Sequence, residues 1–279
     1  MVFRDRGIEI KTAEQIAKMR VAGLLVGETL ELLSETVRPG VTTAELDAVA
    51  EEHIRANGGV PSFQGYGQPP FPGTICASVN DQVVHGIPGE TTLRDGDVIS
   101  IDCGAIVDGW HGDAAVTVAV GEVADDVREL MRVTEGAMWA GLAAARLGGR
   151  VTDISYAVEQ HVRSQVHPAG GSWGILEEFT GHGIGTAMHQ PPNVPNYGRP
   201  GRGPRIQRGL ALAVEPMVTL GSRHVLVEDD EWTVVTVDGS WAAHFEHTFT
   251  LSPEGPWVLT ALDGGRSRLA ELGVSYGGA

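Results

Sequence analysis

ISIDCGAIVDGWHGDAAV, residues 99–116, has the pattern of an antiparallel hairpin carrying two acids in apolar company. Val98 to Ala105 and Ala114 to Val120 read as strands, and Asp108-Gly109 between them is a dipeptide suited to a tight turn with positive φ. With a two-residue turn there, Asp102 falls opposite Ala115, and Asp113, two residues from Ala115, shares its face. Both carboxylates then point to one side of a half-buried sheet. Ionised side by side they would repel strongly, so either one holds a proton or something positive lies between them, and a divalent metal is the simplest answer. Acids on a solvent face are the alternative, which the apolar flanks ISIDCG and DAAVTVAV weaken.

The second half of the chain repeats the arrangement. LALAVEPMVTL (210–220) embeds Glu215 and WAAHFEHTFTL (241–251) embeds Glu246 in apolar, strand-like runs, where a charge is costly unless paired or metal-bound. His182 lies in Gly181-His182-Gly183-Ile184-Gly185, whose missing side chains let backbone and ligand approach closely. Asp102, Asp113, His182, Glu215 and Glu246 together form a set of four carboxylates and one imidazole, suited to two hard or borderline divalent cations and to hydrolysis rather than electron transfer. The glycine-flanked histidine is neither a phosphate-binding loop nor an H-E-x-x-H zinc helix.

Around these motifs the chain is that of a large globular protein. Its 279 residues are 42% hydrophobic, enough for a sizeable core. No run of 18 apolar residues occurs and the N-terminus lacks a signal peptide's apolar segment. Two cysteines alone, Cys76 and Cys103, suit a reducing compartment. A cytoplasmic protein is expected. The net charge of −16 disfavours nucleic-acid or anionic-membrane binding. Arg199, Arg202, Arg205 and Arg208 run against that balance in a Gly/Pro-rich loop, read either as a solvated loop or as a contact patch for a polyanion such as the ribosome.

Thr12-x-x-Gln15 and Thr42-x-x-Glu45 each open a helix as capping boxes, with Pro39-Gly40 stopping the first. LDAVAEEHIRA (46–56) returns as ISYAVEQHVRS (154–164), an offset of 108 residues that hints at a duplicated half. His53 and His161 are features of that repeated surface. His111, His167, His224 and His247 carry no chemical signal beyond position, with His247 expected on the side opposite Glu246. His244 shares the parity of Glu246 and is a weak candidate to support it.

The ordered set SVNDQVVHGIPG, DCGAIVDGWHGDAAV, GHGIGTAMHQPP, LAVEPM and HFEHT closely resembles the type I methionine aminopeptidases, over roughly residues 10 to 262. The resemblance implies an α/β (α+β) pita-bread fold: two pseudo-symmetric halves, with antiparallel sheet flanked by helices around a dinuclear metal site. Residues 1–11 are then a lead-in, 12–263 one catalytic domain, and 264–279 a tail expected to be disordered. Asp102 is implied as chelator of one metal, His182 and Glu215 as ligands of the other, and Asp113 and Glu246 as bridges. Four anionic ligands would balance two dications (Co, Mn, Fe or Zn) and leave a shared water acidic enough to attack the first peptide carbonyl near neutral pH.

The same resemblance gives Glu215 a second role as proton shuttle to the leaving amine. It places His189 on the scissile carbonyl or its oxyanion and His85 near the substrate amide. Phe71, Cys76, Met188 and Trp232 are implied as walls of an apolar slot for an unbranched thioether, with Tyr66 nearby. Family members often read GYHGYP before the cysteine; this chain has GYGQPPFPGTIC, longer and richer in proline. The implied partners are N-termini of nascent polypeptides, cut when the second residue is small, by a monomer; Met1-Val2 of the chain itself would qualify. Two rivals stand. A proline-specific aminopeptidase of the same fold usually carries an extra N-terminal domain, where only a short lead-in is expected here. A binding module that has lost catalysis would not be expected to retain all five ligands and both extra histidines. The 33-residue step from His182 to Glu215 favours type I over type II, which inserts a subdomain there.

Overall fold

The computed structural model describes residues 7–278, so part of the expected lead-in, residues 1–6 with Met1-Val2, and Ala279 lie outside the described residues. The first half runs α1 (Ala13–Thr36), α2 (Thr43–Ala56), β1 (Val60–Pro61), β2 (Ile75–Val79), β3 (Gln82–Val84), β4 (Val98–Val107) and β5 (Trp110–Ala119). The second runs α3 (Asp125–Ala144), α4 (Val151–Ser164), β6 (Gly174–Ile175), β7 (Gly181–Gly183), β8 (Gln190–Val194), β9 (Ala211–Val214) and β10 (Met217–Thr219). It ends with β11 (Val225–Val227), β12 (Val234–Thr236), β13 (Ala242–His244), β14 (Glu246–Leu251), β15 (Pro256–Val258) and α5 (Arg266–Glu271).

Both capping boxes form. Thr12 and Gln15 cap α1 reciprocally, as do Thr42 and Glu45 at α2, so the first turns have partners for their free N–H groups. The β4–β5 turn is as expected: Asp108 and Gly109 sit at φ 49° and 79°, and ten residue pairs follow in unbroken register, Asp102 opposite Ala115.

The sheet order is β1-β4-β5-β14-β9-β7-β8, with β2 also on β4 and β15 on β14. Helix α1 packs across β4 and β5, and α2 and α4 lie against α1 and α3 respectively. The duplication extends to side-chain detail. Glu51 pairs with Arg55 at 2.8 Å and Glu159 with Arg163 at 2.7 Å, the same i, i+4 ion pair in both repeat helices. His53 and His161 each hold a buried Nε2 without a partner. Two apolar cores result: one under α1 and α2, including Leu46, Ile99 and Ile101, the other under α3 and α4, including Leu142, Ile154 and Phe249.

Helix α1 also reaches the far end of the chain. Arg20 donates to the carbonyls of Leu259, Ala261 and Leu262 at 2.6–2.8 Å. Beside it Gly23 lies so close that an added Cβ would stand 2.3 Å from the Leu259 carbonyl oxygen. The segment after Asp263 differs from the expected loose tail: α5 buries Leu269 completely, and Arg266 stacks on the Tyr276 ring at 4.6 Å. Gly-rich composition suggested disorder, but spaced apolar residues anchor the segment.

The two acid-bearing strand runs of the second half are also each broken. Glu215 follows β9 and precedes Pro216, after which β10 joins a different sheet with β13 and β6; Phe245 likewise separates β13 from β14. Proline has no N–H for a ladder, so a change of sheet at Pro216 costs little.

Lys11 is buried just before α1, and burial pulls its ammonium down to about 8. The unfolded chain therefore holds a proton that the folded chain lacks between about pH 8 and 10.4, and stability rises with pH across that window. The gain is about 1 to 2 kcal/mol after discounting for water that reaches the amine. Between pH 7.5 and 10, urea unfolding should show stability changing by about 1 to 2 kcal/mol more favourably in the natural chain than in Lys11→Met; parallel behaviour of the two would refute it.

Candidate metal centre and its pocket

Strand register draws the acids together. Cys76 pairs with Asp102, Asp102 with Ala115, and Ala115 with Glu246, a single row across β2, β4, β5 and β14. Asp113 lies two residues along β5 on the same face. His247, one residue from Glu246, turns to the other face, where its ring meets Trp139 and its Nδ1 lies 2.8 Å from the Thr260 hydroxyl. From the second half, β7 supplies His182 and the end of β9 supplies Glu215.

His182 Nε2 stands 3.4 Å from Glu215 Oε1 and 3.9 Å from Asp113 Oδ2. Its Nδ1 lies 3.0 Å from the Gly183 carbonyl, which can only accept, so Nδ1 carries the proton and Nε2 presents its lone pair to the acids. Burial pushes this imidazole down to about 3, so it does not neutralise them. One oxygen of each of Asp102, Asp113 and Glu246 is buried with no hydrogen-bond partner. Among the described residues no lysine or arginine pairs with any of the four carboxylates.

Burial raises Asp102 to about 7, and burial with mutual repulsion drives Asp113 and Glu246 well above the carboxylate range. Glu215 rises too, through burial and then Asp102. Four buried acids facing an imidazole lone pair cannot all be ionised unless cations sit among them. Ligand atoms of Asp113, His182 and Glu246 lie within 4.8 Å of one another, as do those of Glu215, His244 and Glu246. Geometry and donor chemistry both fit divalent cations. His244 reaches this second group with a buried, unpartnered Nε2, beyond the supporting place its parity suggested.

A cavity of about 160 Å³ opens beside the acids. It is smaller than the roughly 300–1,000 Å³ typical of small-molecule pockets, and so suited to one side chain. All five nominated ligands, both nominated histidines and Phe71, Cys76, Met188, Trp232 and Tyr66 line it. Phe71 meets the Trp232 ring edge-on at 5.2 Å, and Cys76 and Met188 pack in the same apolar cluster.

His85 stands edge-on to Phe179 and Trp232 at 5.5 and 5.7 Å. Its φ of 60° is uncommon for a side chain of this size, and such strain is found where neighbours over-determine a site. Burial, then His189, lowers it to about 4. His189 lies 4.4 Å from the His182 ring, and its Nδ1 is 2.7 Å from the Tyr66 hydroxyl.

Phe63, Phe179 and Thr180 also line the cavity and escaped sequence reasoning. Phe179 and Thr180 could have been found from their place beside Gly181-His182; nothing marks Phe63. His111, judged unremarkable in the sequence, sits near the site: its Nδ1 is 3.0 Å from the Ser62 hydroxyl, and burial with the nearby His189 lowers it to about 4.

Comparison with known proteins agrees with this geometry. Residues 17–253 match the model of metallopeptidase family M24. A methionine aminopeptidase of Clostridium perfringens is 48% identical over 256 residues, 91% of this chain and 99% of that protein. The crystal structure of methionine aminopeptidase from Rickettsia prowazekii superposes with a TM-score of 0.86 at 37% identity, covering 91% of this chain and 99% of that one. An X-Pro aminopeptidase from Thermotoga maritima shares the fold alone, at 21% identity and a TM-score of 0.69 over 91% of this chain and 62% of that one. With nearly whole-length identity to one branch and only a shared architecture with the other, the chain belongs to metallopeptidase family M24 and, within it, to the methionine aminopeptidases.

Proposed function

We propose that this chain removes the N-terminal methionine from polypeptides whose second residue is small, hydrolysing the first peptide bond at the carboxylate cluster. The observation that carries this reading is the small, largely apolar cavity, walled by Phe71, Cys76, Met188 and Trp232, that borders buried acids with no basic partner. Two divalent cations there, Co, Mn, Fe or Zn, would polarise the scissile carbonyl and make a water nucleophilic near neutral pH. Asp102 would hold one, His182 and Glu215 the other, and Asp113 and Glu246 both.

The remaining steps belong to the chain's own side chains. The cavity takes the thioether and so sets the scissile carbonyl against the acids. Tyr66, whose hydroxyl is kept protonated by burial and then by Asp113, donates to His189 Nδ1. His189 Nε2 then carries the proton and donates to the carbonyl oxygen as charge develops there. His85 is placed to bond the substrate amide. Glu215 takes the proton from the attacking water and delivers it to the leaving amine.

Arg199, Arg202, Arg205 and Arg208 are all exposed on the loop that closes the start of α4, which supports a contact with a polyanion such as the ribosome. The two free, buried cysteines agree with work in the cytoplasm, and no described helix is long and apolar enough to cross a membrane. The chain would act as a monomer.

The discriminating experiment loads the purified chain with Mn²⁺, Co²⁺, Fe²⁺ or Zn²⁺ and compares release from Met-Ala-Ser with release from an Xaa-Pro peptide. Turnover of Met-Ala-Ser alone is expected. Preference for Xaa-Pro would overturn the substrate, and no turnover with any metal would indicate a binding module.

A further inference from the structure

Glu9 and Lys11, in the short segment before α1, lie far in sequence from every motif of the site. Yet their side chains reach the segment Ile184–Gln190, which carries Met188 and His189. Gln190 donates to Glu9 Oε2 at 2.5 Å, and the Thr186 hydroxyl and amide donate to the same oxygen at 3.2 and 3.4 Å. Lys11 Nζ donates to Gln190 Oε1 at 3.3 Å and to the Glu9 carbonyl at 3.2 Å, with the Glu9 carboxylate 3.8 Å away. The Lys11 amide is fixed in turn to the Gly209 carbonyl at 2.7 Å.

The approach is close, so a side chain at Gly185 would push the ends of the Glu9 and Lys11 side chains aside. A Cβ at Gly185 would stand 2.6 Å from Glu9 Oε2 and 2.5 Å from Lys11 Cε. On the site side, the same segment is tied by the His111 amide to the Gly185 carbonyl at 2.9 Å, and His189 is tied to Tyr66. One carboxylate thus holds both ends of the turn, Thr186 and Gln190.

We infer that Glu9, supported by Lys11, is a positioning residue that clamps the 184–190 turn and so fixes Met188 against the cavity and His189 against the scissile carbonyl. This inference rests on the role given to His189 above. Misplacing a reacting group by about 1 Å can lose up to roughly 10²-fold in rate. A loosened turn still samples the working geometry, so a loss of about tenfold is expected.

The test uses the metal-loaded full chain with Glu9→Ala, Gln190→Ala, the double variant and Glu9→Gln. Each alanine variant should lower kcat on Met-Ala-Ser about tenfold, with metal content and Tm retained. The double variant should lose no more than the worse single one, because both act through one contact. Glu9→Gln keeps an acceptor oxygen for Thr186 and Gln190 and should restore most of kcat. Amide hydrogen exchange should speed up at 184–190 and not elsewhere.

Unchanged exchange there, or a general rise with a fallen Tm, would overturn the clamp. Faster local exchange with unchanged kcat would overturn its service to catalysis. If His189→Ala also leaves kcat untouched, the fault lies with the reading of His189, while exchange still judges the clamp. Should Glu9→Ala not fold, Thr186→Val removes one exposed donor of the same network and must shift exchange and kcat in the same directions.

Discussion

Asp113→Ala is expected to lower kcat/KM on Met-Ala-Ser by at least about 10³-fold, roughly 4 kcal/mol of transition-state stabilisation, and to reduce bound metal per chain. Asp113 shares a donor group with His182 and Glu246: one oxygen lies 3.9 Å from His182 Nε2 and the other is buried and unpartnered. Its removal takes a carboxylate out of that group and, on the proposed ligand set, one that both cations would share. Elemental analysis alongside kinetics checks the result, and full activity with full metal content would show that the ligand set is wrong.

The same variant should move stability in the opposite sense once metal is stripped. Burial, then Asp102 and Glu215, push the Asp113 carboxyl up. The folded metal-free chain therefore binds more protons than the unfolded one above about pH 4, and stability falls as pH rises. The window opens near the ordinary carboxyl value and extends at least to the about 7 of Asp102. In metal-free melts at pH 5 and 8, Asp113→Ala should show a smaller fall in Tm than the natural chain. The site is thus costly to fold empty, which is the expected signature of a place built for cations.

His189→Ala is expected to reduce kcat by about 10²- to 10³-fold, the usual loss for one oxyanion donor, with metal content unchanged. The ring's pKa is shifted down by partial burial, so it is neutral at pH 7, and in the proposed arrangement it donates from Nε2 while Nδ1 accepts from the Tyr66 hydroxyl 2.7 Å away. Tyr66→Phe leaves the ring in place but frees the tautomer, so a smaller loss confined to kcat follows. If KM rose and kcat held in both variants, His189 would serve substrate binding alone.

Local chemistry made much of this legible. Asp108-Gly109 told the β4–β5 register and with it the shared face of Asp102 and Asp113, because turn length and the two-residue pleat leave one solution. The helix repeat at 46–56 and 154–164 was visible because amphipathic surface is local. What escaped was distant or shape-dependent. No periodicity says that Glu9 meets Gln190, that Tyr66 meets His189 despite the proline-rich loop, or that Phe63 lines the cavity. The runs around Glu215 and Glu246 looked continuous because apolar composition does not reveal a change of sheet, although Pro216 was there to suggest one.

Strand β14 carries Glu246 and is seated between β5 and β9, both of which precede it in the chain. The strand that joins the two halves of the sheet is therefore synthesised after both of its neighbours. A nascent chain stopped before residue 246 leaves β5 and β9 with unpaired edges, the kind that recruit other strands, and its acid cluster lacks a member. Sheet closure and the last acid of the cluster thus arrive together, with the same strand. Truncated products should accordingly appear as aggregates without metal rather than as partially active enzyme.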